Sequence, residues 1–402
     1  MIVDAIGQVL ALASLTVVGL LVTRFTRIDL TLACLLTGFV TGLTLGYVDF
    51  DTGIRAHNLH EIVFFIILPV LIFEAAWHIK LTLLKRWLLP VLLLATAGVL
   101  ISTFVTAGLV YVGIGYPDAF PWLAALLTGA ILAATDPIAV MSQLRSSNAP
   151  EDLATLFEGE SLFNDASAIV LFLIIIAIAT QAEHGQTGYL SFFGMVFVGG
   201  IAVGLVAGLL TAAIIRIIGR PEASRFILVF SAFISFYAAE HLLHVSGIMA
   251  VMMAAIAAKL ALKEVENTLT HGIIETWEWL GLFLNNLLFV IMGLVITVSM
   301  FTEQWLAMLI AIVATFIARV IAVVGVSLVS GGLGRPVPWG WQILLVWGGL
   351  RGAIAIALVL SLPTSLPYWW LIQSMVFGVV MFSLLVQGTT NKFLIERYAR
   401  SD

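Results

Sequence analysis

Charge is what this 402-residue sequence has least of. Lysine, arginine, aspartate and glutamate make up 10% of it, against about 25% in soluble domains. That leaves too little polar surface to cover a soluble globule of this length. Cysteine occurs once, as Cys34 in an apolar run. An intramolecular disulfide is excluded, and the residue reads as a small buried one. No metal-ligand cluster, no HExxH, no GxSxG and no Ser-Lys or paired-Asp site with a substrate-access motif is present. The sequence therefore offers an enzyme no chemistry, and no cofactor is expected. A basic leader is missing as well: MIVDAIG carries Asp4 where a cleaved signal would carry lysine or arginine.

What is present is apolar length. Hydrophobic residues make up 61%, and the mean hydropathy is +1.13. A spanning helix needs about 20 largely apolar residues. Thirteen runs qualify: 3–23, 29–47, 59–79, 87–114, 121–144, 153–180, 189–218, 224–243, 246–262, 276–300, 304–329, 340–362 and 367–390. Only HVSG separates the eighth from the ninth. The expected fold is an all-α polytopic membrane protein, one transporter unit over 1–402 with short connectors. Basic residues set its orientation. With the N-terminus outside and the C-terminus cytoplasmic, Arg55 lies outside, Arg319 and Arg351 lie within runs, and every other lysine and arginine falls inside. Trp339, Trp341, Trp369 and Trp370 read as interfacial belt. KLALKEVENTLTHGIIETWEW, after the ninth run, reads as a cytoplasmic amphipathic segment or a solvated loop.

Two runs are interrupted. The fifth reads LLTGAILAATDPIAVMSQL, where Pro137 disfavours helical geometry at Asp136 and removes a backbone donor. The twelfth reads ILLVWGGLRGAIAIALVL, with three glycines around Arg351. Seven spans separate the breaks. Runs 1–6 and 8–13 then form two inverted six-helix repeats with 189–218 as a linker, and the two broken helices (5 and 12) meet at the midplane. This is the expected architecture of a secondary transporter.

Seven charges sit inside spans: Glu74, Asp136, Glu158, Glu160, Asp165, Arg319 and Arg351. Each costs at least about 2.5 kcal/mol at the bilayer centre unless it has a partner or a function. On the sixth run, Glu158, Ser161 and Asp165 share one helical face and Glu160 and Asn164 another. Asp136 either caps a half-helix or shapes a cation site with the freed Thr135 carbonyl. Oxygen donors of this kind suit a hard monovalent cation. Arg351 needs an anion, and Glu160 is the partner expected from the wheel; the alternative is the facing dipoles of the broken helices. Glu74 either snorkels to water or faces the site. Arg319 has Glu74 as one possible partner.

ATDPIAV, GESLFNDASAIVLF and WGGLRGAIAIALVLSLP, in this order and spacing, with FEAAW on the third run, resemble the NhaP-type sodium/proton antiporters, prokaryotic relatives of the NHE exchangers. The resemblance covers essentially the whole chain. It implies a homodimer in the cell (inner) membrane, with a dimer part over about 1–85 and 224–300 and an ion-carrying core over about 86–181 and 304–395. It implies that Asp165, Asp136, Ser161, the Thr135 carbonyl and, directly or through water, Glu74 hold the ion. Asn164 and a Glu160–Arg351 pair would hold the broken helices together. Glu158, on the same helical face as Asp165 but nearer the cytoplasm, is read from its position as lying on the entry path. The expected function is exchange of Na+ (or Li+ or K+) for H+, serving pH homeostasis. Because Asn164 cannot titrate, a single carboxylate, Asp165, implies electroneutral one-for-one exchange by alternating access. A passive cation channel or uniporter on the same fold is the rival.

Overall fold

A bilayer offers the backbone no water, so a spanning chain must satisfy its amides within each segment. This chain does so with helices. The computed structural model describes residues 2–26, 28–48, 62–115, 120–179, 189–263 and 272–399, and no strand occurs among them. Arg27, Arg55 and Arg400, used above for orientation, and residues 264–271 of the connector after the ninth run lie outside the described residues.

Among the described residues fifteen helices follow one another. They are α1 (Ile2–Thr26), α2 (Leu30–Val48), α3 (Val63–His78), α4 (Thr82–Gly113), α5 (Trp122–Ile131), α6 (Ile138–Ser146), α7 (Glu151–Ala179), α8 (Tyr189–Ile218), α9 (Pro221–Leu242), α10 (Gly247–Leu262), α11 (Ile273–Val295), α12 (Val298–Gly332), α13 (Trp339–Trp347), α14 (Ala353–Leu360) and α15 (Trp369–Tyr398). Among the described residues eight segments are, by length and composition, long and apolar enough to cross a membrane.

The HVSG separation is real. His244 takes a left-handed backbone conformation, and Ser246 caps α10 by accepting from Met249 N at 3.2 Å. The boundary expected at 301–303 falls earlier, at Ile296–Thr297, and Gln304 then kinks α12. Trp341 is not a belt residue. It is buried, and its indole donates to Ala399 O at 3.2 Å, tying α13 to the end of α15.

The chain divides into two compact units, 1–78 with 183–294 and 79–182 with 295–402. In the first, glycines set how closely helices approach. Gly200, Gly204 and Gly208 of α8 face the carbonyls of Ser246, Ala250 and Ala254, the last two in α10, so closely that no Cβ fits. Packing of small residues is a main source of association between helices in lipid, where burial against a neighbour gains little over burial in acyl chains. The second unit uses the same device where Gly129 of α5 meets Thr103 O of α4. It also holds both interrupted pairs, α5–α6 and α13–α14.

Candidate functional site

Breaking a helix leaves carbonyls at one new end and amides at the other without partners. In the second unit the two breaks satisfy each other. After α5 the chain leaves the helix through Ala134–Pro137, and after α13 through Gly349–Gly352. Asp136 N donates to Leu350 O at 2.8 Å, joining the two stretches. The Asp136 carboxylate then accepts from Ala353 N at 3.3 Å. Asp136 is therefore a cap, but of α14 in the other broken pair rather than of its own half-helices.

Both arginines bind C-terminal half-helix ends. Arg351 donates through one guanidinium nitrogen to Ala133 O (3.1 Å) and Ala134 O (2.9 Å), where α5 has just ended. Arg319 of α12 donates to Leu345 O in the last turn of α13, at 3.0 Å from Nε and 2.9 Å from Nη2. A cation at each of these ends matches the negative pole of the half-helix dipole.

The expected Glu160–Arg351 pair is replaced. Glu160 is buried and pairs two-pronged with Arg319, Nη1 to Oε1 and Nη2 to Oε2, the second at 2.8 Å. The same geometry corrects the suggestion of Glu74 for Arg319. The physical reason is placement: Arg351 turns Nη1 to the carbonyls of the first break, whereas Arg319 presents Nη1 and Nη2 side by side to both Glu160 oxygens. The wheel rightly required a cation beside Glu160. Which of two buried arginines supplied it depended on how α12 packs. One signal was legible: Arg319 lies deep in a long apolar helix, so a carboxylate from elsewhere had to meet it.

The remaining predicted residues gather on α7 against the first break. Ser161 Oγ donates to Thr135 O, and Asn164 Nδ2 donates to Thr135 Oγ1 at 2.9 Å. The charged neighbours of Asp165 are Asp136, Glu160 and Arg351. Two acceptors of consecutive residues, Asn164 Oδ1 and Asp165 Oδ1, are buried with no hydrogen-bond donor. A buried polar atom left this way costs about 1–3 kcal/mol. Thr135, Asp136, Ser161 and Asp165 supply only oxygens, which fits a hard monovalent cation. Glu74 belongs to the first unit, where its carboxylate packs over Gly281 of α11 and His78 Nδ1 lies 2.9 Å from its carbonyl. Glu158 pairs with Arg145, Nη2 to Oε1 at 3.6 Å.

Close approach explains Gly352. A Cβ there would land on the Asp136 carboxylate. Gly352→Ala is expected to push Asp136 off α14 and destabilise the protein by at least about 1 kcal/mol, the worth of a lost cap. Gly325→Ala, with nothing within 4 Å of its Cβ in α12, is expected to be neutral or stabilising. Melting of the two purified variants in one detergent checks the pair.

Residues 12–397 match the family described as sodium/hydrogen exchanger, transmembrane. The chain is 37% identical over 367 residues to the Na+/H+ antiporter ApNhaP of Aphanothece halophytica, covering 89% of this chain and 68% of that one. It is 35% identical over 398 residues to the Na+/H+ antiporter NhaP of Pseudomonas aeruginosa, covering 93% and 92%. The fold matches that of the sodium proton antiporter MjNhaP1 from Methanocaldococcus jannaschii with a TM-score of 0.83 at 22% identity, over 99% of this chain and 100% of that one. The chain is thus a multi-pass membrane protein of the sodium/hydrogen exchanger family, whose members are ion transporters and not chemical catalysts.

Proposed function

We propose that this protein exchanges Na+ (or Li+ or K+) for H+ across the cell membrane, one for one and electroneutrally, with Asp165 as the group that both ions share. The observation that carries this reading is the buried, donor-less Asp165 Oδ1 beside Asp136 and the Thr135–Ser161 pair. Burial favours the neutral form of a carboxyl, and a bound cation favours the charged form. One carboxylate then holds a proton or a cation, never both. If only the loaded forms cross, exchange is obligatory. A cation arriving at Asp165 replaces the Ser161 hydrogen bond on Thr135 O, so Ser161 and the carbonyl both turn to the ion. Asp136 shapes the site while it caps α14, and Arg351 and Arg319 hold the two breaks open by binding carbonyls of the first and the second respectively.

On this reading each interrupted pair is one span, which makes thirteen, arranged as two inverted repeats about α8. The unit holding 79–182 and 295–402 carries the ion, and the other unit is the scaffold of a homodimer. The basic residues support an outside N-terminus. Relatives named Na+/H+ antiporters support the choice of substrates.

The test is dissipation of an imposed ΔpH in proteoliposomes on adding sodium, lithium, potassium or choline. Exchange predicts cation-dependent proton movement that choline does not evoke, at a rate that clamping the membrane potential leaves unchanged. Cation flux without proton movement, or conductance under voltage, means a channel. A rate that follows the clamped potential overturns the one-for-one stoichiometry alone.

A further inference from the structure

Arg145 and Glu158 take no part in the site above, yet they sit on its approach. Two rungs join α6 and α7. At one, Ser161 and Asn164 meet Thr135, just ahead of α6. At the other, Arg145 in the last turn of α6 meets Glu158. The seam between the helices therefore runs from the break to the Arg145–Glu158 pair. On α7, Glu158, Ser161 and Asp165 lie at i, i+3 and i+7, a single stripe about 10 Å long at 1.5 Å per residue. The first turn of α7 reaches solvent: the Lys80–Glu151 pair (2.7 Å) is exposed, and Arg86–Asp152 (3.2 Å) is half-exposed. Glu158 is the next acid inward, its side chain 18% exposed against 60% for Arg145.

We propose that Glu158 is the first carboxylate an entering monovalent cation meets, and that Arg145 is a tethered competitor which the cation displaces. This rests on the exchange reading above. The pair is built to be displaced. Its Nη2–Oε1 distance is 3.6 Å, and its arginine stands mostly in water while its glutamate is largely covered; a long, half-solvated contact opens more readily than a buried two-pronged one. Glu160–Arg319, two residues away in sequence, is two-pronged and buried, and is not open to exchange with a passing ion. A guanidinium held beside Glu158 raises the cation concentration needed to load the seam, and releasing it exposes the stripe that ends at Asp165.

The experiment measures the sodium concentration giving half-maximal ΔpH dissipation in proteoliposomes for Glu158→Gln, Arg145→Gln and the double variant. The half-saturating sodium for thermal stabilisation in detergent is the second readout. Glu158→Gln is expected to raise both roughly fivefold, with the maximal rate within about twofold of the wild type; a tenfold change corresponds to about 1.4 kcal/mol. Arg145→Gln is expected to lower both severalfold. On the Glu158→Gln background, Arg145→Gln is expected to change nothing further, since its competitor role has no target. All three should melt with the wild type in the absence of sodium. Unchanged half-saturation in both single variants overturns the latch, and so does an additive double variant, which means only a diffuse field. Failure of the exchange reading is separate: the wild type would then move no protons on adding any cation.

Discussion

Asp165→Asn is expected to reduce sodium-driven proton movement to that of protein-free vesicles while the protein stays folded. Asparagine matches aspartate in shape but neither titrates nor carries charge. It therefore supplies no proton and does not neutralise a cation in a low dielectric. The folded state has little to lose, because Asp165 Oδ1 accepts no hydrogen bond from the protein. Without sodium Asp165 holds a proton on this reading, so asparagine replaces one neutral group with another and leaves the charges of Asp136, Glu160 and Arg351 in balance. Melting in sodium-free buffer is accordingly expected near the wild-type temperature. Sodium should stabilise the wild type and not the variant, since a ligand stabilises only the state that binds it. The comparison needs one protein preparation, melted with sodium and with choline and then reconstituted. Sodium-coupled proton movement that survives in the variant removes Asp165 from the centre of the mechanism. A variant that is inactive and also unstable says instead that the carboxylate is structural.

The parts of this molecule that announced themselves in the sequence are those set by local chemistry. Long apolar runs force helices whatever surrounds them, so helix content was readable throughout. Pro137 and the glycines around Arg351 break helices by sterics and lost donors, and both breaks fall where those residues stand. The α7 stripe of Glu158, Ser161 and Asp165 follows from helical periodicity alone. What stayed hidden depends on which helix packs on which. Asp136 was legible as a cap, but its target, Ala353 on the other broken pair, is a tertiary fact. Trp341 has the composition of a belt residue and a buried partner in Ala399. The extent of the eleventh run was misjudged because Ile296–Thr297 breaks the chain without glycine or proline. Arg319 and Arg351 are equally deep and equally basic, and no spacing rule ranks them as partners for Glu160.

That last ambiguity yields the second large effect. Glu160→Ala is expected to destabilise the protein by about 3–5 kcal/mol, the usual result of stripping one partner from a buried ion pair. Arg319 would keep its bonds to Leu345 O but would face no anion across its other edge. Arg319→Ala is expected to be as damaging, because it strands Glu160 and also uncovers Leu345 O in the last turn of α13. The double variant Glu160→Ala/Arg319→Ala should cost less than the two single changes together, since neither charge is then left alone. Residues in contact couple by roughly 0.5–3 kcal/mol in such cycles. Arg351→Ala should also destabilise, through Ala133 O and Ala134 O, yet combine with Glu160→Ala more nearly additively. Unfolding free energies of the single and double variants, measured in one detergent by denaturant titration, decide it. Coupling of Glu160 to Arg351 that exceeds its coupling to Arg319 would restore the pair expected from the helical wheel. The structure leads to the opposite expectation, because Arg351 turns Nη1 to the carbonyls of the first break, whereas the fork of Arg319 meets both Glu160 oxygens.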